Sequence, residues 1–132
     1  MAETYRAEKD SLKFFEVLQS GFARYPRSKY FFTHLFDYYF KRGEIEQSKA
    51  LCDDAIEADS VNIIALFAKS TVLLAQKDYD NCISLCDKII SLDNNHAEAY
   101  LNAALAYFNQ AVKIDNSKNR SREKRSQMIA LY

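Results

Sequence analysis

The residues whose side chains could catalyse a reaction are few in this chain and stand far apart. Its two histidines, His34 and His96, are each isolated, and neither has a serine or cysteine beside it in a nucleophile motif. With only two glycines in 132 residues, the sequence has no glycine-rich loop to hold a phosphate. We therefore expect both histidines to be structural, and we predict no catalytic residue and no cofactor.

Three cysteines are the other reactive groups. Cys82 and Cys86 are four positions apart, on one face of a predicted helix, and the residue numbers of Cys52 and Cys86 differ by 34. Three thiols cannot all pair within one chain, and none stands near a histidine at the spacing of a metal site. The favoured interpretation is that all three are core thiols and that no metal is bound. A disulfide or a metal site is the alternative.

The composition favours a folded, helical chain. Hydrophobic residues make up 48% of the 132, while two glycines and one proline leave little material for the tight turns of a sheet protein. A formal net charge of zero gives no general attraction to nucleic acid or to an anionic membrane. No apolar run approaches the ~20 residues that span a bilayer, and the N-terminus lacks a signal peptide's apolar core. We expect one domain, and a cytoplasmic location because the cysteines are unpaired.

A pattern that repeats at a constant offset of 34 in residue number organises the chain. Positions in the stretch 29–62 have counterparts at this offset in 63–96 and, in part, after residue 97, and most of the matched positions are apolar or aromatic. The matched sets are Phe32, Leu66 and Tyr100; Leu35, Lys69 and Ala103; Tyr39, Leu73 and Tyr107; and Cys52 with Cys86. A period of this length indicates an array of helical hairpins, each packed on the next.

The pattern resembles that of the tetratricopeptide repeat family. The first full unit has Phe32, Leu35, Tyr39, Gly43, Ser48 and Ala55 at the family's places. The departures are Phe36 and Ser70 for a glycine, Ser60 and Asn94 for a proline, and Ile89 for a small residue. The resemblance covers residues 11 to about 108. It implies an all-α, right-handed solenoid of antiparallel helix pairs that holds other proteins and is not an enzyme.

The resemblance divides residues 1–132, as a single domain, into a half repeat at 11–28, repeats at 29–62 and 63–96, and a truncated third repeat at 97–132. The predicted helices cover about 11–25, 28–41, 44–58, 62–76, 79–92 and 97–113. Gly43 suits a left-handed helix end, whereas Lys77 would adopt that backbone at a cost of ~1 kcal/mol, so we expect a different turn there. The polar run 115–120 predicts an inserted loop.

The first helix of each pair lines the concave face in this family, and the resemblance carries its groove positions onto the chain. The apolar residues predicted to contact a partner are Tyr30, Phe40, Ile64, Phe67, Leu74, Leu101, Leu105 and Phe108. Three interpretations stay open: the groove binds an apolar peptide or helix of a protein partner, it is filled in cis by further helices of a larger tetratricopeptide protein, or these residues belong to the core.

Two other kinds of binding are disfavoured. The family's carboxylate clamp needs cationic and amide donors. Its places in this chain hold Thr33, Asp37, Ala68, Glu98 and Asn102. Only Asn102 has an amide, so we predict no clamp. The basic residues between 113 and 125 are interrupted by Asp115 and Glu123 and have no aromatic neighbours for stacking on bases, so we predict no nucleic acid binding.

Three expectations concern packing. Tyr39 and Tyr107 should each pack against the second helix of their repeat. Cys52 and Cys86 should be buried and slow to react with thiol reagents. The last apolar residues, Met128, Ile129, Leu131 and Tyr132, repeat the spacing of Cys82, Ile83, Leu85 and Cys86 at an offset of 46. We expect a second copy to cover this apolar end, giving a homodimer.

Overall fold

The computed structural model describes the backbone of residues 2–130 and the side chains of residues 8–116 and 118. Within this range the chain forms six α-helices and no strand: α1 (Ala2–Arg24), α2 (Lys29–Lys41), α3 (Ile45–Ala58), α4 (Ile63–Ala75), α5 (Tyr79–Leu92) and α6 (Ala97–Ala130). Consecutive helices pack on one another, and α4 also contacts α2 and α6. The all-α solenoid of antiparallel helix pairs is confirmed. The bounds of α2 to α5 agree with the predicted ones to within one residue.

The two complete helix pairs turn by the same backbone device. Gly43 has a φ of 74° and Lys77 a φ of 62°. The amide after each one donates across the helix end, from Glu44 to the carbonyl of Tyr39 at 3.0 Å and from Asp78 to the carbonyl of Leu73 at 2.9 Å. This pattern satisfies carbonyls that the helix leaves free. The expectation of a different turn at Lys77 is therefore wrong, because these hydrogen bonds offset the ~1 kcal/mol cost of a left-handed lysine.

The links between repeats are also alike. Asp59 and Asp93 each accept a hydrogen bond from the backbone N–H two residues ahead, at 3.2 and 3.1 Å. Asn62 then begins α4 by accepting from the N–H three residues on, at 3.2 Å, and His96 does the same for α6 through Nδ1, at 3.1 Å. These side chains satisfy donors that a helix start leaves free. His96 thus has a structural role at the start of α6.

The core lies between the helices of each pair and continues to the next pair, and it contains Phe22 and Phe32 beside many smaller side chains. Cys52, Cys82 and Cys86 are free and fully buried, which confirms their interpretation as core thiols. Burial raises the pKa of Cys52 to about 12. The hydrogen bond between Cys82 and Cys86, together with burial, raises the pKa of Cys82. At the first helix contact Gly21 leaves room for the ring of Phe31, with which an added Cβ would overlap.

Two predictions about the third repeat are wrong. Residues 115–120 are not a loop, since α6 continues through them to Ala130 as one helix of 34 residues. The run contains no glycine or proline, and aspartate, asparagine and serine each disfavour a helix by less than about 0.7 kcal/mol relative to alanine, too little to end one. Tyr107 is 57% exposed rather than packed against a second helix. Tyr39 is half-buried and packs against the core, and its ring also meets that of Phe15 on α1, with centroids 5.8 Å apart. The apolar end at 128–132 lies outside the described side chains.

Candidate protein-binding face

Helix α6 is apolar on almost every side over its first half. Ala99, Ala103 and Ala106 are buried with Asn102 on the side that faces α4 and α5. The exposed apolar side chains on the other sides are Tyr100 (49% exposed), Leu101 (58%), Leu105 (40%), Tyr107 (57%), Phe108 (65%), Val112 (40%) and Ile114 (54%). A helix that is apolar all round is normally buried all round. This half of α6 therefore offers apolar surface that no other described element covers.

Asn102 is the polar anchor that positions α6. Its Nδ2 donates to Ser70 Oγ at 3.1 Å and to Thr71 Oγ1 at 3.2 Å, both on α4. The two hydroxyls in turn donate to the carbonyl of Phe67, at 2.6 and 3.2 Å. Because the alanines on the same side have short side chains, α6 approaches α4 and α5 closely. Gln110, two turns further on, donates through Nε2 to Asp80 Oδ1 on α5 at 2.5 Å.

The same contacts bear on the carboxylate clamp. Asn102 is the one clamp position with an amide donor, and it is only 7% exposed. Both of its amide hydrogens are directed at the α4 hydroxyls. They are therefore not free to bind the carboxylate of a peptide, which agrees with the prediction that the chain has no clamp.

The eight predicted groove residues fall into two groups. Tyr30, Leu101, Leu105 and Phe108 are exposed. The other four, Phe40, Ile64, Phe67 and Leu74, are half-buried. Ile64, Phe67 and Leu74 pack against the core clusters, and Phe40 stacks on Phe36 with ring centroids 5.2 Å apart. Because α2 and α6 make no contact, Tyr30 and the α6 residues are not brought together.

Tyr30 belongs to a separate aromatic group at the other end of the array. His34 lies between Tyr30 and Phe14, with ring centroids 4.3 and 6.1 Å away. His34 is exposed and contacts aromatic rings, which makes it, like His96, a packing residue here. Among the residues with described side chains, no three of the types His, Cys, Asp and Glu group together where a metal ion would bind. None of the helices in that part of the chain is long and apolar enough to cross a membrane.

Comparison with known proteins agrees with this geometry. Residues 63–96 match the family model described as tetratricopeptide repeat. Residues 63–96 therefore form a unit similar to a tetratricopeptide repeat. Proteins with such repeats are in general interaction scaffolds without catalytic activity. A solved structure titled MamA MSR-1 C2 superposes with a TM-score of 0.61 at 20% identity, over 81% of this chain and 62% of that one, a likeness that shows the fold alone. No curated protein matches the chain in sequence.

The tetratricopeptide register separates the exposed surface of α6 into two faces. We call Leu101, Leu105, Phe108 and Val112 the groove face, and Tyr100, Ala104, Tyr107, Ala111 and Ile114 the pair face. The residues at the places of Tyr100 and Tyr107 in the preceding repeat are Leu66 and Leu73, and both are buried against α5. The exposure of the pair face was not predicted from the sequence, although the repeat register assigns this face to contact with a second helix.

Proposed function

We propose that this tetratricopeptide chain is a non-catalytic scaffold that binds a protein partner through the groove face of α6. The observation that supports the proposal is the exposure of Leu101, Leu105, Phe108 and Val112, which ranges from 40% to 65%. Their spacing of four, three and four residues places them in one stripe along the helix, ~16 Å long at 1.5 Å per residue. A stripe of that kind suits an amphipathic helix or an apolar peptide as the partner.

The half-buried groove residues extend this surface over α4. Phe67 and Leu74 are on α4, the helix that α6 contacts, and Thr71 lies between them with its hydroxyl held by Phe67 and Asn102. The proposed site is thus apolar with one polar position near its centre. The remaining groove residues are further away: Ile64 is near the start of α4, and Phe40 and Tyr30 are on α2. In this proposal only a long partner contacts them.

Nucleic acid is not a partner in this proposal. The chain has 18 basic and 18 acidic residues, so it lacks the excess positive charge that drives binding to phosphate backbones. The described exposed aromatic residues belong to the groove face, the pair face and the group around His34, apart from Tyr25, which stacks on Phe31. We place the protein in the cytoplasm on the strength of its three free thiols.

The test uses peptides selected from a displayed library of amphipathic helices. We expect a selected peptide to lose at least tenfold in affinity, by calorimetry, when Leu105 or Phe108 is changed to aspartate. Val61→Asp is the matched control, because Val61 is 56% exposed and lies in the link before α4. Peptides that bind the Leu105→Asp and Phe108→Asp variants as tightly as the unchanged chain would refute the groove face as the site.

A second candidate function is a structural one. The chain spans 62% of the length of the MamA MSR-1 C2 structure, which favours a longer array in which further helices cover the groove face in cis. The two candidates differ in what a longer natural protein should show. An apolar dye mixed with the longer protein should bind and become more fluorescent if the groove face is free. Its fluorescence should stay low if further helices cover that face.

A further inference from the structure

A cleft of about 550 Å³ lies at the turn between α1 and α2, away from α6. Ligand pockets in proteins commonly have volumes of roughly 300–1,000 Å³, so this cleft is large enough to receive side chains of a partner. It combines two guanidinium groups with two aromatic rings and a proline. Its lining residues are Arg24, Tyr25, Pro26, Arg27, Ser28 and Phe31. Such a lining offers positive charge and apolar surface at the same place.

The backbone of this turn is held in place by its own contacts. The N–H of Tyr25 donates to the carbonyl of Gly21 at 2.7 Å, and the N–H of Ser28 donates to the carbonyl of Tyr25 at 3.0 Å. Between these two bonds, the ring of Pro26 fixes the φ angle of the residue. Gly21 also leaves the room in which the ring of Phe31 packs on α1. The cleft is therefore preformed, which lowers the entropic cost of binding a ligand.

The two arginines of the cleft are positioned through their Nε atoms. Arg24 Nε donates to Tyr25 Oη at 3.2 Å, and Arg27 Nε donates to the carbonyl of Ala58, the last residue of α3, at 3.1 Å. Beside them the rings of Tyr25 and Phe31 are nearly parallel, at 17°, with centroids 6.5 Å apart. Because the hydrogen bonds described for both arginines use Nε, their terminal Nη groups remain to donate to a ligand.

The positive charge of the cleft is not neutralised within the described part of the chain. Neither arginine has a carboxylate partner among the side chains that the structure describes. Asp59, next to the carbonyl that holds Arg27, accepts instead from the backbone N–H of Val61 at 3.2 Å. Positions 17–36 contain three basic residues and no acidic one. The cleft therefore suits a ligand that brings negative charge of its own.

We propose that this cleft binds an acidic peptide segment of a partner protein, in which an aromatic residue stands among carboxylates. The aromatic side chain packs on Tyr25, Phe31 and Pro26, the apolar part of the lining. Carboxylates on either side of it accept hydrogen bonds from Nη of Arg24 and Arg27, because a guanidinium group matches a carboxylate in a two-pronged contact. Clusters of arginine recognise acidic motifs in this way.

The other polyanion with flat rings is single-stranded nucleic acid, and the charge of the chain disfavours it. A phosphate backbone binds to a series of cations, whereas this cleft offers two in a chain of zero net charge. Because neither α1 nor α2 contacts α6, the cleft is separate from the groove face. The proposal therefore does not rest on the proposed function.

Tryptophan fluorescence of a defined peptide tests the proposal, because the chain itself has no tryptophan. The probe is a capped peptide with one tryptophan between two pairs of aspartates. Its emission should shift to shorter wavelength on binding, and Arg24→Gln and Arg27→Gln should each weaken the binding at least about tenfold, through loss of a charge-assisted hydrogen bond. Lys29→Gln is the matched control, because Lys29 is exposed and close in sequence but does not line the cleft. It should bind the peptide as the unchanged chain does.

Two altered peptides, followed by calorimetry, separate the contributions of charge and ring. Asparagine in place of the aspartates, or alanine in place of the tryptophan, should each weaken binding at least about tenfold. Circular dichroism verifies the fold of each variant. Arg24 is bonded only to its neighbour Tyr25 in the described structure, so Arg24→Gln decides the test if the loss of the Arg27 contact to α3 disturbs folding.

Three results would overturn the proposal. The first is a peptide that does not bind the unchanged chain, and the second is a loss with Lys29→Gln as large as with Arg24→Gln, which would show attraction to charge alone. The third is an oligothymidylate that binds the cleft more tightly than the peptide, which would assign it to nucleic acid. Leu105→Asp, on the groove face, should leave the peptide affinity unchanged, so failure at one site is distinguishable from failure at the other.

Discussion

Replacing Asn102 with alanine should loosen α6 from the rest of the array. The change removes the hydrogen bonds from Nδ2 to Ser70 and Thr71, at 3.1 and 3.2 Å. Each hydrogen bond contributes about 0.5–1.5 kcal/mol net, so the expected loss in free energy of unfolding is about 1–3 kcal/mol. The loss stays within this range because both hydroxyls keep their bond to the carbonyl of Phe67 and are not left unpaired.

Urea unfolding followed by circular dichroism measures this loss, and a double-mutant cycle assigns it. The second change is Thr71→Val, which keeps the shape of the side chain and removes its hydroxyl. If the two residues interact as described, the losses in free energy of unfolding of the two single variants should add up to about 0.5–1.5 kcal/mol more than the loss of the double variant. Strict additivity, or a loss below about 0.5 kcal/mol for Asn102→Ala, would refute Asn102 as the anchor of α6.

Three further predictions concern the turns, the core thiols and the helix-pair tyrosines. Both turn positions have positive φ, so Gly43→Lys should lower the free energy of unfolding by about 1 kcal/mol and Lys77→Gly should not lower it. Urea unfolding measures both, and a Gly43→Lys variant more stable than the unchanged chain would contradict the prediction. The folded pKa of Cys52, about 12 against an ordinary 9.0, means that the native state keeps a proton that the unfolded state loses. Between pH 9 and about pH 12, stability should therefore fall by about 1.4 kcal/mol per pH unit relative to Cys52→Ala, and a difference that does not change with pH would argue against it. Tyr39→Ala should lower the free energy of unfolding by about 3 kcal/mol, whereas Tyr30→Ala should lower it by less than about 1 kcal/mol because Tyr30 is exposed. Equal shifts in melting temperature for the two variants would contradict the packing of Tyr39.

The helix pairs were predictable from the sequence because their cores are made by the chain itself. Phe32 and Leu66 hold equivalent positions in successive repeats and are both almost fully buried, and the same is true of Cys52 and Cys86. Each is covered in part by the other helix of its own repeat, Phe32 by the α3 side of its cluster and Leu66 by Ile89 of α5. Spacing along the chain therefore carries the information that decides burial.

The surface of α6 was less predictable, because exposure depends on what lies opposite a residue. Tyr107 has the same position in its repeat as the half-buried Tyr39, yet it is exposed since no described helix packs on it. The loop expected at 115–120 failed for a different reason, since polar residues of modest helix propensity do not end a helix in the absence of glycine or proline. Among the groove residues, Phe67 and Leu74 share a face with Leu101 in the family register but are partly covered by core contacts that spacing does not reveal.

The order of contacts along the array has a consequence for how its ends communicate. Each described helix contacts the helices before and after it in the chain, α4 also contacts α2 and α6, and α2 and α6 share no contact. In such a one-dimensional assembly, stability is a sum of terms between neighbours. A partner bound to α6 should therefore strengthen first the contacts of α6 with α4 and α5. A change at α6 therefore reaches the aromatic group around His34 only through each helix contact that lies between them.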